Sequence, residues 1–143
     1  MRAVMRERWA KTKHSRKYHA WYTQVGNSKA SAALFYRTEA GNEPLREWLK
    51  KMSPEDRRLI GEDIKTVEFG WPVGMPTCRP LGNELHEIRT TLSGNRIARI
   101  FFYVDSNQRT VLLHGIVKKT QATPPADLEM ARKNKQRHEE GLN

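Results

Sequence analysis

The sequence is poor in several things, and each shortage excludes something. Its single cysteine, Cys78, forms no internal disulfide and has no second thiol for a zinc site. His14, His19, His86, His114 and His138 fall into no HExxH or Cys-His spacing, so neither a metal nor another cofactor is expected. No apolar run approaches the roughly 20 residues that span a bilayer. The Arg- and Lys-rich start also lacks the apolar segment of a secretory signal. A cytoplasmic protein with no membrane partner is the expectation.

Acids are scarce as well: 16 Asp or Glu stand against 26 Lys or Arg, for a formal net charge of +10. The imbalance is uneven along the chain. Residues 1 to 30 hold eight bases and one acid, residues 39 to 70 six bases and eight acids, and residues 78 to 119 seven bases and three acids. A basic stretch behind a slightly acidic one selects a polyanion as partner, with phosphate backbones first in line.

What is present is strand and helix patterning around one organising stretch, Cys78 to Thr120. Three apolar runs, Glu84 to Thr91, Arg96 to Val104 and Thr110 to Val117, are separated by Leu92-Ser93-Gly94-Asn95 and Asp105-Ser106-Asn107-Gln108, both turn chemistry. In the first run Leu85, Glu87 and Arg89 share one face and His86, Ile88 and Thr90 the other. The second is apolar on both faces, as a central strand is. Short polar loops make the three an antiparallel meander.

Ahead of the meander, Ala32 to Thr38 reads as a short strand. Pro44 opens a helix whose stripe is Leu45, Trp48, Leu49 and Met52. Ser53 caps a second helix with Leu59, Ile60, Ile64 and Val67 inward, ending at Phe69-Gly70. Trp71 to Pro80, with three prolines and Gly74, reads as irregular loop. Thr123 as N-cap and Pro124 at the first position start a last helix running to about Glu139, with Leu128 and Ala131 inward. The fold class expected is α+β: a small antiparallel sheet with an N-terminal helical hairpin and a C-terminal helix. By length this is one domain, residues 31–143, behind a basic extension over 1–30.

Several short segments carry a resemblance through their order and spacing. They are Phe35-Tyr36-Arg37-Thr38 with Gly41, Leu81-Gly82 with Leu85-His86-Glu87-Ile88-Arg89, Arg96-Ile97, Leu112-Leu113-His114-Gly115, Lys118-Lys119-Thr120-Gln121 and Thr123-Pro124. Over residues 33 to about 138 the chain resembles the RelE/ParE toxin superfamily, most closely its HigB-like, phage-derived branch. The resemblance implies a RelE-like fold and the toxin of a type II toxin-antitoxin system. Such a toxin is an endoribonuclease that cleaves mRNA, usually at the ribosome, and inhibits translation. Its implied partners are mRNA, the ribosome and a helix-turn-helix, HigA-like antitoxin. His86 stands where the family typically has tryptophan, and residues 1 to 30 have no counterpart in compact family members.

Metal-free RNA cleavage needs a base for the 2′-hydroxyl, cations around the phosphate and an acid for the departing 5′-oxygen. The resemblance assigns Arg96 and Lys119 as catalytic cations, with Arg89 and Lys118 beside them. Glu87, on the face of Arg89, accepts a proton or orients that arginine. His86, pointing the other way, is either a catalytic or a packing histidine. Arg79, Arg99 and Lys118 are candidate RNA-binding residues. Alternation sets Arg96 opposite Arg99 and Lys118 opposite Lys119, so one of each pair would serve structure or the antitoxin. Two other readings stay open: a ParE-like toxin bound to a protein target such as gyrase, and a non-catalytic nucleic-acid-binding phage protein.

Overall fold

The computed structural model of the protein describes residues 33–120 and 122–141; the expected basic extension over residues 1 to 30 lies outside them. The described elements are β1 (Ala33–Phe35), α1 (Pro44–Lys50), α2 (Pro54–Gly70), β2 (Cys78–Gly82), β3 (Leu85–Leu92), β4 (Arg96–Val104), β5 (Thr110–Lys118) and α3 (Pro125–Gly141). The strands form one sheet in the order β1-β5-β4-β3-β2. From β2 to β5 the pairing is antiparallel, and β1 joins the far edge parallel to β5. The fold is α+β with a RelE-like arrangement, its antiparallel meander extended by one parallel edge strand.

Local chemistry explains the elements. Ser53 Oγ accepts the Asp56 N–H at 3.1 Å, closing the N-terminus of α2 behind Pro54. The β3–β4 turn places Gly94 at φ 72° and Asn95 at φ 59°, the left-handed backbone that glycine and asparagine tolerate. At the β4–β5 turn Asp105 Oδ1 accepts the N–H groups of Asn107 and Arg109, each at 2.9 Å.

The sheet is buried on both sides. Against α1 and α2 lies a core that includes Leu45, Leu49, Ile60, Ile64, Ile88, Ile100 and Phe102. Against α3 lies a second core of Tyr36, Leu85, Phe101, Tyr103, Val111, Leu113 and Ala131. Strand β4 feeds both, which is why its run is apolar on both faces.

Two local expectations are corrected. The segment read as loop through Pro80 contains β2, and Pro80 pairs with His86 there. Because β2 is the edge of the sheet, a residue with no N–H costs it no ladder bond on its outer side. Thr123 does not cap α3. The helix begins at Pro125, and the N–H groups of Asp127 and Leu128 both bond Pro124 O at 3.1 Å. The Thr123 hydroxyl is directed at Glu87 instead.

Candidate functional site

Strand parity and register bring four charged residues together on the α3 side of the sheet. Leu85 belongs to the α3-side core, so Glu87 and Arg89, two and four residues on, face the same way. Phe101 and Tyr103 mark the same side of β4 and carry Arg99 with them. The register sets Arg79 of β2 opposite Glu87 and Arg89 opposite Arg99.

Glu87 is the centre of this group and is fully buried. Its Oε2 lies 3.7 Å from Arg89 Nε, 3.8 Å from Arg99 Nε and 3.9 Å from Arg79 Nε. Its Oε1 accepts the Thr123 hydroxyl at 3.3 Å. Arg99 is also fully buried, and it donates to Thr120 O at 2.7 Å and Ala122 O at 3.4 Å. The pair thereby fastens the β5–α3 connection to the middle of the sheet. Burial lowers the Arg99 pKa from its ordinary value; Arg89 and Arg79 push the same way, and only the Glu87 carboxylate opposes them. Among the described residues three guanidiniums lie within 4.0 Å of this one carboxylate, a surplus of two positive charges within the group. Arg89 and Arg79 present that surplus outward, their side chains 16% and 37% exposed.

The remaining candidates lie elsewhere. Arg96 sits on the α2 side, where it grips Asp56 with two bonds of 2.9 and 3.2 Å and bonds Ser93 O at 2.8 Å. That hydrogen bond and charge hold the Asp56 carboxyl below its usual range. His86 also faces that side, packed edge-on against Trp71 with ring centroids 4.8 Å apart and stacked on Phe102 at 5.4 Å. Burial lowers its pKa, with Glu84 pulling weakly upward. His114 bonds Asp127 of α3 at 2.8 Å and stacks on Phe101. Lys118 and Lys119 are exposed at the end of β5, directly before the Thr120 carbonyl that Arg99 holds.

The structure therefore unites Glu87, Arg89, Arg79 and Arg99 and sets Arg96 and His86 on the opposite face. It adds Thr123, whose place before Pro124 suggests a helix cap but whose hydroxyl bonds Glu87. Only the unusual Thr-Pro-Pro start, with two prolines where one suffices, hinted at a different use for that threonine.

Residues 47–136 match the family described as Phage derived protein Gp49-like (DUF891). The chain belongs to this Gp49-like family. The matched stretch contains all four residues of the charged group, Lys118, Lys119 and Thr123. No curated protein matches the chain. In this Gp49-like protein no described helix is long and apolar enough to cross a membrane. Among the described residues, no three His, Cys, Asp or Glu are grouped so as to hold a metal ion. The chemistry on offer at the site is a fork of guanidiniums oriented by a buried carboxylate, with two exposed lysines preceding in the chain the Thr120 carbonyl that Arg99 holds. Such forks bind phosphate oxygens bidentately and keep their charge.

Proposed function

We propose that this Gp49-like protein is a RelE/HigB-type toxin, an endoribonuclease that cuts mRNA at the ribosome and is held in check by a helix-turn-helix antitoxin. The observation that carries the reading is the surplus of two guanidiniums over one buried carboxylate on the α3 side of the sheet, opening through Arg89 and Arg79. In this reading those two arginines hold the scissile phosphate. The ribose 2′-hydroxyl attacks phosphorus, a 2′,3′-cyclic phosphate forms, and the bond to the 5′-oxygen breaks. Lys119, with Lys118 beside it, serves the proton transfers, one from the 2′-hydroxyl and one to the departing 5′-oxygen. Glu87 positions the arginines. A substrate already oriented by the ribosome asks little more of the protein, since orientation alone supplies on the order of 7 kcal/mol or more.

One observation favours a second reading. Glu87 is fully buried among three guanidiniums and Arg96 is bound to Asp56, so neither is a ready acid or base. A non-catalytic nucleic-acid-binding protein would need no more than the cationic fork. Induced expression separates the two: the toxin reading expects growth arrest that Lys119→Ala abolishes and a helix-turn-helix partner reverses. Growth unaffected by the wild-type chain would favour the binding reading, and arrest with DNA damage and filamentation would point to a protein target such as gyrase.

A further inference from the structure

Strand β5 is covered on its outer side only in part. β1 pairs with it from Thr110 to Leu112, and the Tyr36 N–H bonds Leu112 O at 2.9 Å before the chain turns away. Among the described residues no strand pairs with β5 on that side from His114 to Lys118. The sheet there presents an unpaired edge, the kind that templates another strand. The edge is held in strand form, because β4 pairs with the same residues on the inner side. Leu113 is left out of that pairing by a register shift, and its carbonyl accepts a bond from the Asn134 side chain at 3.0 Å.

Beside the open edge lies a cavity of about 400 Å³. Leu45 and Trp48 of α1 wall it on one side and Met130 of α3 on the other, with Gly115 at the strand. Met130 is apolar and yet 42% exposed. Arg137 lines the same cavity, and Lys118 and Lys119 stand exposed at the end of the edge. The carboxylates next to the lining residues Pro44 and His114 are already engaged, Glu43 by Arg37 and Arg46, and Asp127 by His114. An open strand edge beside an apolar slot captures an extended peptide: main-chain bonds hold it and the slot takes one side chain. The cations select an acidic peptide, and a net charge of +10 opposes a second copy of this chain. We propose that the β5 edge docks an extended acidic segment of a partner protein, which adds a strand along His114 to Lys118 in line with β1 and seats an apolar side chain between Trp48 and Met130. This surface is independent of the RNA reading above.

Fluorescence anisotropy of the full chain with a labelled octapeptide, alternating Glu with Val and carrying one central Phe, tests this. The wild type is expected to bind it, more weakly as salt rises, and to bind a version with Lys in place of Glu far less. Met130→Asp, at an exposed position that leaves the fold intact, is expected to weaken binding roughly tenfold, as losing one buried apolar contact does. Two further peptides carry N-methyl groups on alternate amides, one in each phase. Only one set of N–H groups faces β5 in an added strand, so one methylated peptide should bind like the parent and the other should fail. The inference is overturned if the parent peptide does not bind, if both methylated forms bind as it does, or if the Lys version or Met130→Asp makes no difference. A dimer in sedimentation that Met130→Asp dissolves would give the edge to a second copy and overturn it as well.

Discussion

Glu87 and Arg99 are both fully buried and lie 3.8 Å apart, and through the Thr120 and Ala122 carbonyls and the Thr123 hydroxyl they bind the β5–α3 connection to the sheet. A buried ion pair is weak support for stability as a pair, but breaking it is costly because one charge stays behind. Glu87→Ala is expected to destabilise the fold by about 3–5 kcal/mol in urea unfolding. The double variant Glu87→Leu with Arg99→Met should recover much of that loss. A single variant as stable as wild type would show that the charges are solvated and not a buried pair.

Arg96 and Asp56 form a structural clamp between β4 and the start of α2. Arg96→Ala and Asp56→Asn are each expected to lower the melting temperature, and the double variant should lose little more than either alone, as partners in one contact do. The Asp56 pKa is held below its ordinary 3.8, chiefly by the Arg96 hydrogen bond. The clamp therefore contributes above that value and fails as pH falls through the lower, folded one. If Arg96→Ala abolishes toxicity while Asp56→Asn leaves it whole, Arg96 acts on RNA and not on α2.

The imidazoles of His86 and His138 make stability depend on pH near neutrality. Burial lowers both pKa values from 6.5. The unfolded chain therefore binds protons that the folded chain refuses, and stability is full above the ordinary value and falls as pH drops below it. His86→Phe, which keeps a ring against Trp71 and Phe102, is expected to flatten the melting profile between about pH 7 and 5. An unchanged slope would assign the dependence to His138, whose Nδ1 shares a 2.7 Å hydrogen bond with the Tyr103 hydroxyl.

Gly115 lets α1 settle on β5. A Cβ at this position would come within 2.7 Å of the Trp48 ring and 2.8 Å of Leu45. Both are packed side chains, so Gly115→Ala is expected to cost about 1–3 kcal/mol through overpacking. Thermal melting of that variant alongside Trp48→Leu checks the cause: relief of the loss when the two are combined is the expected sign of a clash.

Much of the fold was legible because its signals are local. Ser53-Pro54 marks a helix start, Ile60, Ile64 and Val67 fall on one helical face, and the run from Arg96 to Val104 is apolar on both sides. Edge strands carry weaker signals, and Pro80 inside Cys78–Gly82 concealed β2. With β2 unread, the Arg79–Glu87 pairing could not be found, because it exists only across that register. Parity did separate Arg96 from Arg99. It could not say which side holds the charged group, since that depends on where Asp56 and Thr123 end up in three dimensions. The tie between Thr123 and Glu87 spans 36 residues and leaves no periodic trace in the sequence.

The most direct test of the account is primer extension on a reporter transcript after brief induction, comparing the wild type with Arg89→Ala once melting has shown the variant folded. Discrete in-frame cuts in the wild type that vanish in Arg89→Ala are the expected result. Message left intact by the wild type, or the same cuts made by the variant, would contradict a ribonuclease built on the Glu87-centred arginines.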